Sequence, residues 1–108
     1  MNENADKAIQ FIWDNAPKYA KARQDLAELE SFKSSLKAIE MKKHLDLPVS
    51  AQEREAYASE EYQQLCKALG EATYNCELLK WKLLTAQMRF DAWRSEQANN
   101  RIMDKNVR

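Results

Sequence analysis

The clearest pattern along the chain lies in its second half. Apolar or small residues fall at Tyr62, Leu65, Leu69, Ala72, Cys76, Leu79, Leu83, Ala86, Phe90 and Trp93. The steps alternate three and four without a slip, which is the spacing of a coiled-coil seam. The periodicity predicts one helix over about 60–102. It passes through Gly70 without a change of phase, so Gly70 is expected inside the helix at a cost of ~1 kcal/mol relative to alanine. Ser59-Glu60-Glu61 supplies its start, with a capping hydroxyl and two acids in the first turn.

A second apolar series, Tyr19, Ala22, Leu26, Leu29, Phe32, Leu36 and Ile39, predicts a long helix over about 16–45. Lys42, Lys43 and His44 suit its negative C-terminal dipole, and Leu47-Pro48-Val49 ends it. Before it, Ala5, Ala8, Ile9, Ile12, Trp13 and Ala16 predict a short helix over about 4–14. Asn15 followed by Pro17 reads as an N-cap and first turn, and so as a bend between the two helices. Ser50-Ala51-Gln52-Glu53 matches a capping box and predicts a short helical turn over about 51–57. Two long helices joined by a short connection fold back on each other. The expected fold is therefore a single all-α domain, residues 1–108, built as a long antiparallel, coiled-coil-like hairpin with a short N-terminal helix. Tyr62, Leu65, Leu69, Leu79, Leu83, Phe90 and Trp93 form the hairpin seam.

The last helix carries a second apolar line at Tyr74, Leu78, Trp81, Thr85 and Met88, largely opposite the seam. One antiparallel neighbour covers one seam, so a helix apolar on two sides needs a second partner. The first helix, with Ile9, Ile12 and Trp13, is one candidate. Another copy of the chain is the stronger one, because about 11 residues cannot cover a helix four times as long. Tyr74, Leu78, Trp81 and Met88 are the expected self-association or partner surface, giving a homodimer or larger assembly.

Composition narrows the class. One glycine and two prolines are too few for a turn-rich sheet protein. A single glycine also excludes a Gly-rich phosphate loop. Seventeen basic side chains balance seventeen acidic ones, which argues against a dedicated polyanion binder. The single histidine, His44, has no partner set for a dyad or triad. No CxxC, HExxH or DxDxDG spacing is present, and no cofactor or metal is expected. Cys66 and Cys76 stand ~15 Å apart on one helix, too far for an internal disulfide, and read as reduced packing residues. Glu53, Glu55, Glu60 and Glu61 cluster at two helix starts, where negative charge is favoured without any catalytic role. These features point away from an enzyme.

The start of the sequence has neither the basic region nor the apolar run of a signal peptide. No stretch approaches the ~20 apolar residues of a membrane span. A cytoplasmic location without membrane contact is expected. One basic–aromatic mixture remains: Arg89, Arg94, Arg101, Lys105 and Arg108, interleaved with Phe90, Trp93, Asn99 and Asn100. Such mixtures grip phosphates and stack bases. Phe90 and Trp93 already serve the seam, however, and Asp91, Glu96 and Asp104 dilute the charge. Nucleic acid is therefore the second choice of partner.

The segments Ala51-Gln52-Glu53-Arg54-Glu55-Ala56-Tyr57-Ala58 and Ala92-Trp93-Arg94-Ser95 resemble those of small helical proteins encoded by tailed phages and prophages. The resemblance runs from about Phe32 to Arg101. It implies a phage-derived accessory protein in the bacterial cytoplasm. The expected function is non-catalytic binding of a host or phage protein. The resemblance carries no catalytic or binding residue with it. The alternative expectation is an accessory factor for phage DNA recombination or replication that contacts single-stranded DNA.

Overall fold

The computed structural model describes residues 3–107, with side chains described to residue 106. The fold is all-α, a helical hairpin of coiled-coil type, with no strand among the described residues. Helix α1 spans Glu3–Met41 and runs into a 3₁₀ turn at Lys42–His44. Helix α2 spans Val49–Ala58, and α3 spans Glu60–Val107.

The expected break near Asn15 does not occur. In place of a short helix over 4–14 and a second over 16–45, α1 is one helix that carries Pro17 in its interior. Asn15 does not cap. Its side-chain amide donates to the Phe11 carbonyl at 2.8 Å, one turn back within the same helix. An interior proline removes one backbone bond and costs ~3 kcal/mol or more in an isolated helix. What offsets it is the seam, whose phase is unbroken across the proline. Ala5, Ala8, Ile12, Asn15, Tyr19, Ala22, Leu26 and Leu29 step by three and four, and each is buried or half-buried. A bend at Pro17 would pull one half of this row out of register.

The other boundaries moved less. The α-helical part of α1 stops at Met41 rather than 45, and the Leu47 N–H donates to the His44 carbonyl beyond it. The capping box expected at Ser50 is not used, and α2 starts at Val49 rather than 51. Pro48 occupies the cap position in an extended conformation, with no side-chain cap, and its carbonyl accepts the Gln52 N–H at 2.9 Å. With φ already set by its ring, Pro48 begins the helix before Ser50 can. Ser59 caps α3 as its sequence suggests. Its Oγ accepts the Tyr62 N–H at 3.2 Å and donates to the Ala56 carbonyl at 2.8 Å, so one hydroxyl serves two helix ends. Helix α3 continues to Val107, beyond the expected end at 102, and Gly70 lies inside it.

The contacts divide the chain into two compact units. The turn unit is Lys21–Cys76, and the terminal unit is Met1–Ala20 with Glu77–Arg108. The turn unit holds the leucine core. Leu36, Tyr62 and Leu65 are buried together, and Leu29 and Leu69 pack against them. Ala56 of α2 is fully buried, and Tyr57 meets Tyr62 edge to face at 5.2 Å. Lys37 of α1 reaches Glu53 of α2 at 3.5 Å and lies 4.9 Å above the Tyr57 ring. Glu40 is only 4% exposed, and its carboxylate is held by Lys43 at 3.0 Å. The terminal unit is two helices alone. Its buried residues are the small side chains Ala5, Ala8 and Ala86.

Candidate functional site, a groove between the two helices of the terminal unit

The terminal unit contains an open groove of about 910 Å³. The α1 wall is Asn4, Lys7, Ala8 and Phe11, which fall at i, i+3, i+4 and i+7 and so share one face. The α3 wall carries Leu78, Trp81, Thr85, Ala92 and Trp93, with Lys82 and Arg89 on the rim and Glu96 at one end. Ala8, Ala86 and Ala92 keep the lining low, because each stops at Cβ. Trp81 stands in the wall 57% exposed. The indole N–H of Trp93 is buried without a hydrogen-bond partner among the described residues. An unmet buried donor costs about 1–3 kcal/mol.

Charge in the groove is mostly basic, with Lys7, Lys82 and Arg89 in the lining and Glu96 at one end. Lys7 pairs with Glu3 at 3.0 Å. Lys82 and Arg89 have no acidic partner among the described residues. They lie seven residues apart on α3, two turns or ~10.5 Å along its axis. No group of three or more His, Cys, Asp or Glu side chains that could hold a metal occurs among the described residues. The two cysteines are free, Cys66 exposed and Cys76 buried. The acidic cluster is split between structural tasks. Glu53 faces Lys37, Glu55 lies 3.9 Å from Arg54, and Glu60 accepts the Gln64 amide within the first turn of α3.

The residues singled out from the sequence are distributed as follows. Of the seam residues, Tyr62 and Leu65 are buried, while Leu69, Leu79, Leu83, Phe90 and Trp93 are half-buried. The second line is divided. Leu78 and Trp81 line the groove, Met88 is exposed outside it, and Tyr74 belongs to the turn unit. Tyr74 lies 67% exposed beside a shallow depression that it shares with Lys67, Gly70, Glu71 and Asn75. Ile9 and Trp13 do not cover this line. They are themselves exposed, Trp13 at 77%.

Among the described residues of the basic series, Arg89 alone reaches the groove. The Arg94 guanidinium lies 6.0 Å from the Phe90 ring centre, and Arg101 Nε donates to the Gln97 carbonyl. Lys105 is exposed, and Arg108 lies outside the described residues. Lys7, Phe11 and Lys82 were not anticipated. Their signal was present, since Asn4, Lys7 and Phe11 share a helical face. That face became a wall only because α1 is unbroken and paired with α3.

Fold and groove together define a class, a two-helix scaffold that presents an apolar, basic-rimmed surface. No helix among the described residues is long and apolar enough to cross a membrane. No protein-family model matches the chain, and no curated protein or solved structure shows significant similarity to it.

Proposed function

We propose that the protein is a non-catalytic, phage-derived interaction protein that binds a host or phage protein in the bacterial cytoplasm through its helical surfaces. The observation that carries this reading is the uncovered apolar surface of the terminal unit. Trp13, Leu78, Trp81 and Met88 are all exposed on a scaffold of two helices. Exposed aromatic and methionine clusters with a charged rim are the usual makings of a protein interface. The phage origin rests on the resemblance of the segments 51–58 and 92–95.

The test places a photo-crosslinking side chain at position 81 and expresses the protein in bacteria carrying a related prophage. A single protein adduct is expected, lost when Leu78→Glu is added. No protein adduct, or one unaffected by Leu78→Glu, sinks the reading.

A second reading is an accessory factor for phage DNA recombination or replication that contacts single-stranded DNA. One observation favours it: Trp81, Lys82 and Arg89 lie on one groove, combining an exposed ring with unpaired cations. Such binding would weaken steeply with salt, and Lys82→Ala with Arg89→Ala would flatten the salt slope by about one unit per lost phosphate contact. Submicromolar binding at physiological salt, lost in that double variant, reverses the order of the two readings.

A further inference from the structure

Polar bonds tie helix to helix in the turn unit. Lys37 of α1 reaches Glu53 and Tyr57 of α2, and the Gln63 amide of α3 donates to the Tyr57 carbonyl at 2.7 Å. Ser59 joins α2 to α3. The terminal unit is held differently. The bonds of Lys7, Gln10 and Asn15 close on α1 itself, with Glu3, Asp14 and the Phe11 carbonyl. Those of Thr85 and Arg101 close on α3, with the Trp81 and Gln97 carbonyls. Residues 3–16 of α1 are therefore held to α3 largely by apolar contact, and that contact is thin. The buried side chains are Ala5, Ala8 and Ala86, each a single methyl group. Phe11 and Ile12 are half-buried, and Trp13 is exposed.

Pro17 separates this segment from the rest of α1. It has no N–H to give the Trp13 carbonyl, and its ring crowds that carbonyl, so the helix is weakest at this turn. The boundary of the terminal unit on α1 falls just beyond it, at Ala20. Residues 3–16 make about four helical turns, close to the shortest length at which a helix stands alone. One buried group also favours separation. The Trp93 indole N–H has no acceptor among the described residues and would gain water.

We propose that residues 3–16 form an arm that detaches from α3 at Pro17 while the turn unit stays folded. Such sub-global opening follows where one part of a fold is tied by fewer and smaller contacts than another. Detachment uncovers both sides of the terminal seam, Ala5, Ala8 and Ile12 on the arm and Leu83, Ala86 and Phe90 on α3. Asn4, Lys7, Ala8 and Phe11 leave with the arm, so the groove loses its α1 wall in the same motion. The arm thus governs whether the groove exists. This inference goes beyond the proposed binding of a host or phage protein and does not depend on what binds.

The test uses the full-length protein and hydrogen exchange read by mass spectrometry. Amides of residues 5–16 are expected to exchange at least about tenfold faster than the helical amides of the turn unit. Pro17→Ala restores the missing backbone bond. It should slow exchange in 5–16 by about tenfold or more and leave the turn unit unchanged. Leu65→Ala should do the reverse, speeding the turn unit and leaving 5–16 as they were. A second readout separates detachment from unwinding in place. Trp13, Trp81 and Trp93 all lie in the terminal unit, and the first two are exposed. Trp13→Phe with Trp81→Phe leaves Trp93 as the reporter, and its quenching by acrylamide should fall when Pro17→Ala is added. Equal protection in 5–16 and the turn unit overturns the inference. So does a Pro17→Ala variant that leaves exchange in 5–16 unchanged or slows both units alike. Trp93 quenching indifferent to Pro17→Ala overturns it as well, because the arm would then unwind without leaving α3. None of these readouts involves a foreign protein, so their failure leaves the crosslinking test untouched.

Discussion

The turn unit and the terminal unit are built from the same two long helices and differ in what covers them. In the turn unit α2 adds a third element. Leucines are buried there, and Lys37 ties α1 to α2 through Glu53 and Tyr57. Among the described residues, the terminal unit has no third element. Alanines fill the buried positions, and the large apolar side chains Trp13, Leu78, Trp81 and Met88 face outward. One region is covered within the chain, and the other leaves large apolar side chains exposed. The comparison teaches that a regular heptad does not by itself give a regular core. The same three–four spacing holds Leu36, Tyr62 and Leu65 in one unit and Ala5, Ala8 and Ala86 in the other.

The largest effects should break the comparison where the leucines are buried. Leu65→Ala and Leu36→Ala should each cost about 2–5 kcal/mol, measured by urea unfolding, because each removes methylene groups from a buried cluster. Leu83→Ala, on the same seam but half-buried in the terminal unit, should cost about 1–2 kcal/mol. Lys80→Ala, exposed beside it, should cost under about 0.5 kcal/mol. Equal losses at Leu65 and Leu83 would show that the two units are equally well packed.

Next in size is the cap shared by α2 and α3. Ser59→Ala removes the acceptor of the Tyr62 N–H and the donor to the Ala56 carbonyl. A loss of about 0.5–2 kcal/mol is expected, and Ser59→Asp should restore the part that depends on accepting the Tyr62 N–H. If Ser59→Ala is neutral, the junction between these helices is held by packing alone.

Gly70 tests the opposite direction. It is exposed inside α3, and a Cβ built there meets nothing within 4 Å. Gly70→Ala should therefore stabilise the protein by about 0.5–1 kcal/mol, through lower backbone entropy in the unfolded chain. A destabilised variant would mean that the glycine is needed for a contact made in an assembly.

The smallest effect is a pH dependence confined to the turn unit. The Tyr57 phenol and Glu53 raise the Lys37 ammonium above its ordinary value of 10.5, and Glu40 and Glu61 raise Lys43 in the same way. A raised folded-state value means that the charged form is held more tightly in the folded protein. This contribution is complete below about pH 10.5 and is lost as the pH climbs through the raised values. Thermal unfolding should show a decline above pH 10.5 that Lys43→Met removes in part. A profile unchanged by Lys43→Met would assign the alkaline loss to other groups.

Much of this protein follows from its sequence alone. The heptad steps from Tyr62 to Trp93 determine a long helix with one apolar seam, because 3.6 residues per turn bring every third and fourth residue to one side. The start at Ser59 follows from one hydroxyl and two carboxylates beside unpaired N–H groups. Tertiary structure decided the rest. Pro17 lies within α1 because pairing along an unbroken seam outweighs a local preference of ~3 kcal/mol, and no window of a few residues contains that seam. Pro48 pre-empted the Ser50 cap for a local reason, but the burial of Glu40 beside Lys43 required the whole turn unit to form around it. The groove depends on both levels. Lys82 and Arg89 share a face of α3 by helical geometry, with Trp81 on the adjoining side, whereas Lys7 and Phe11 join them only because α1, unbroken at Pro17, lies alongside.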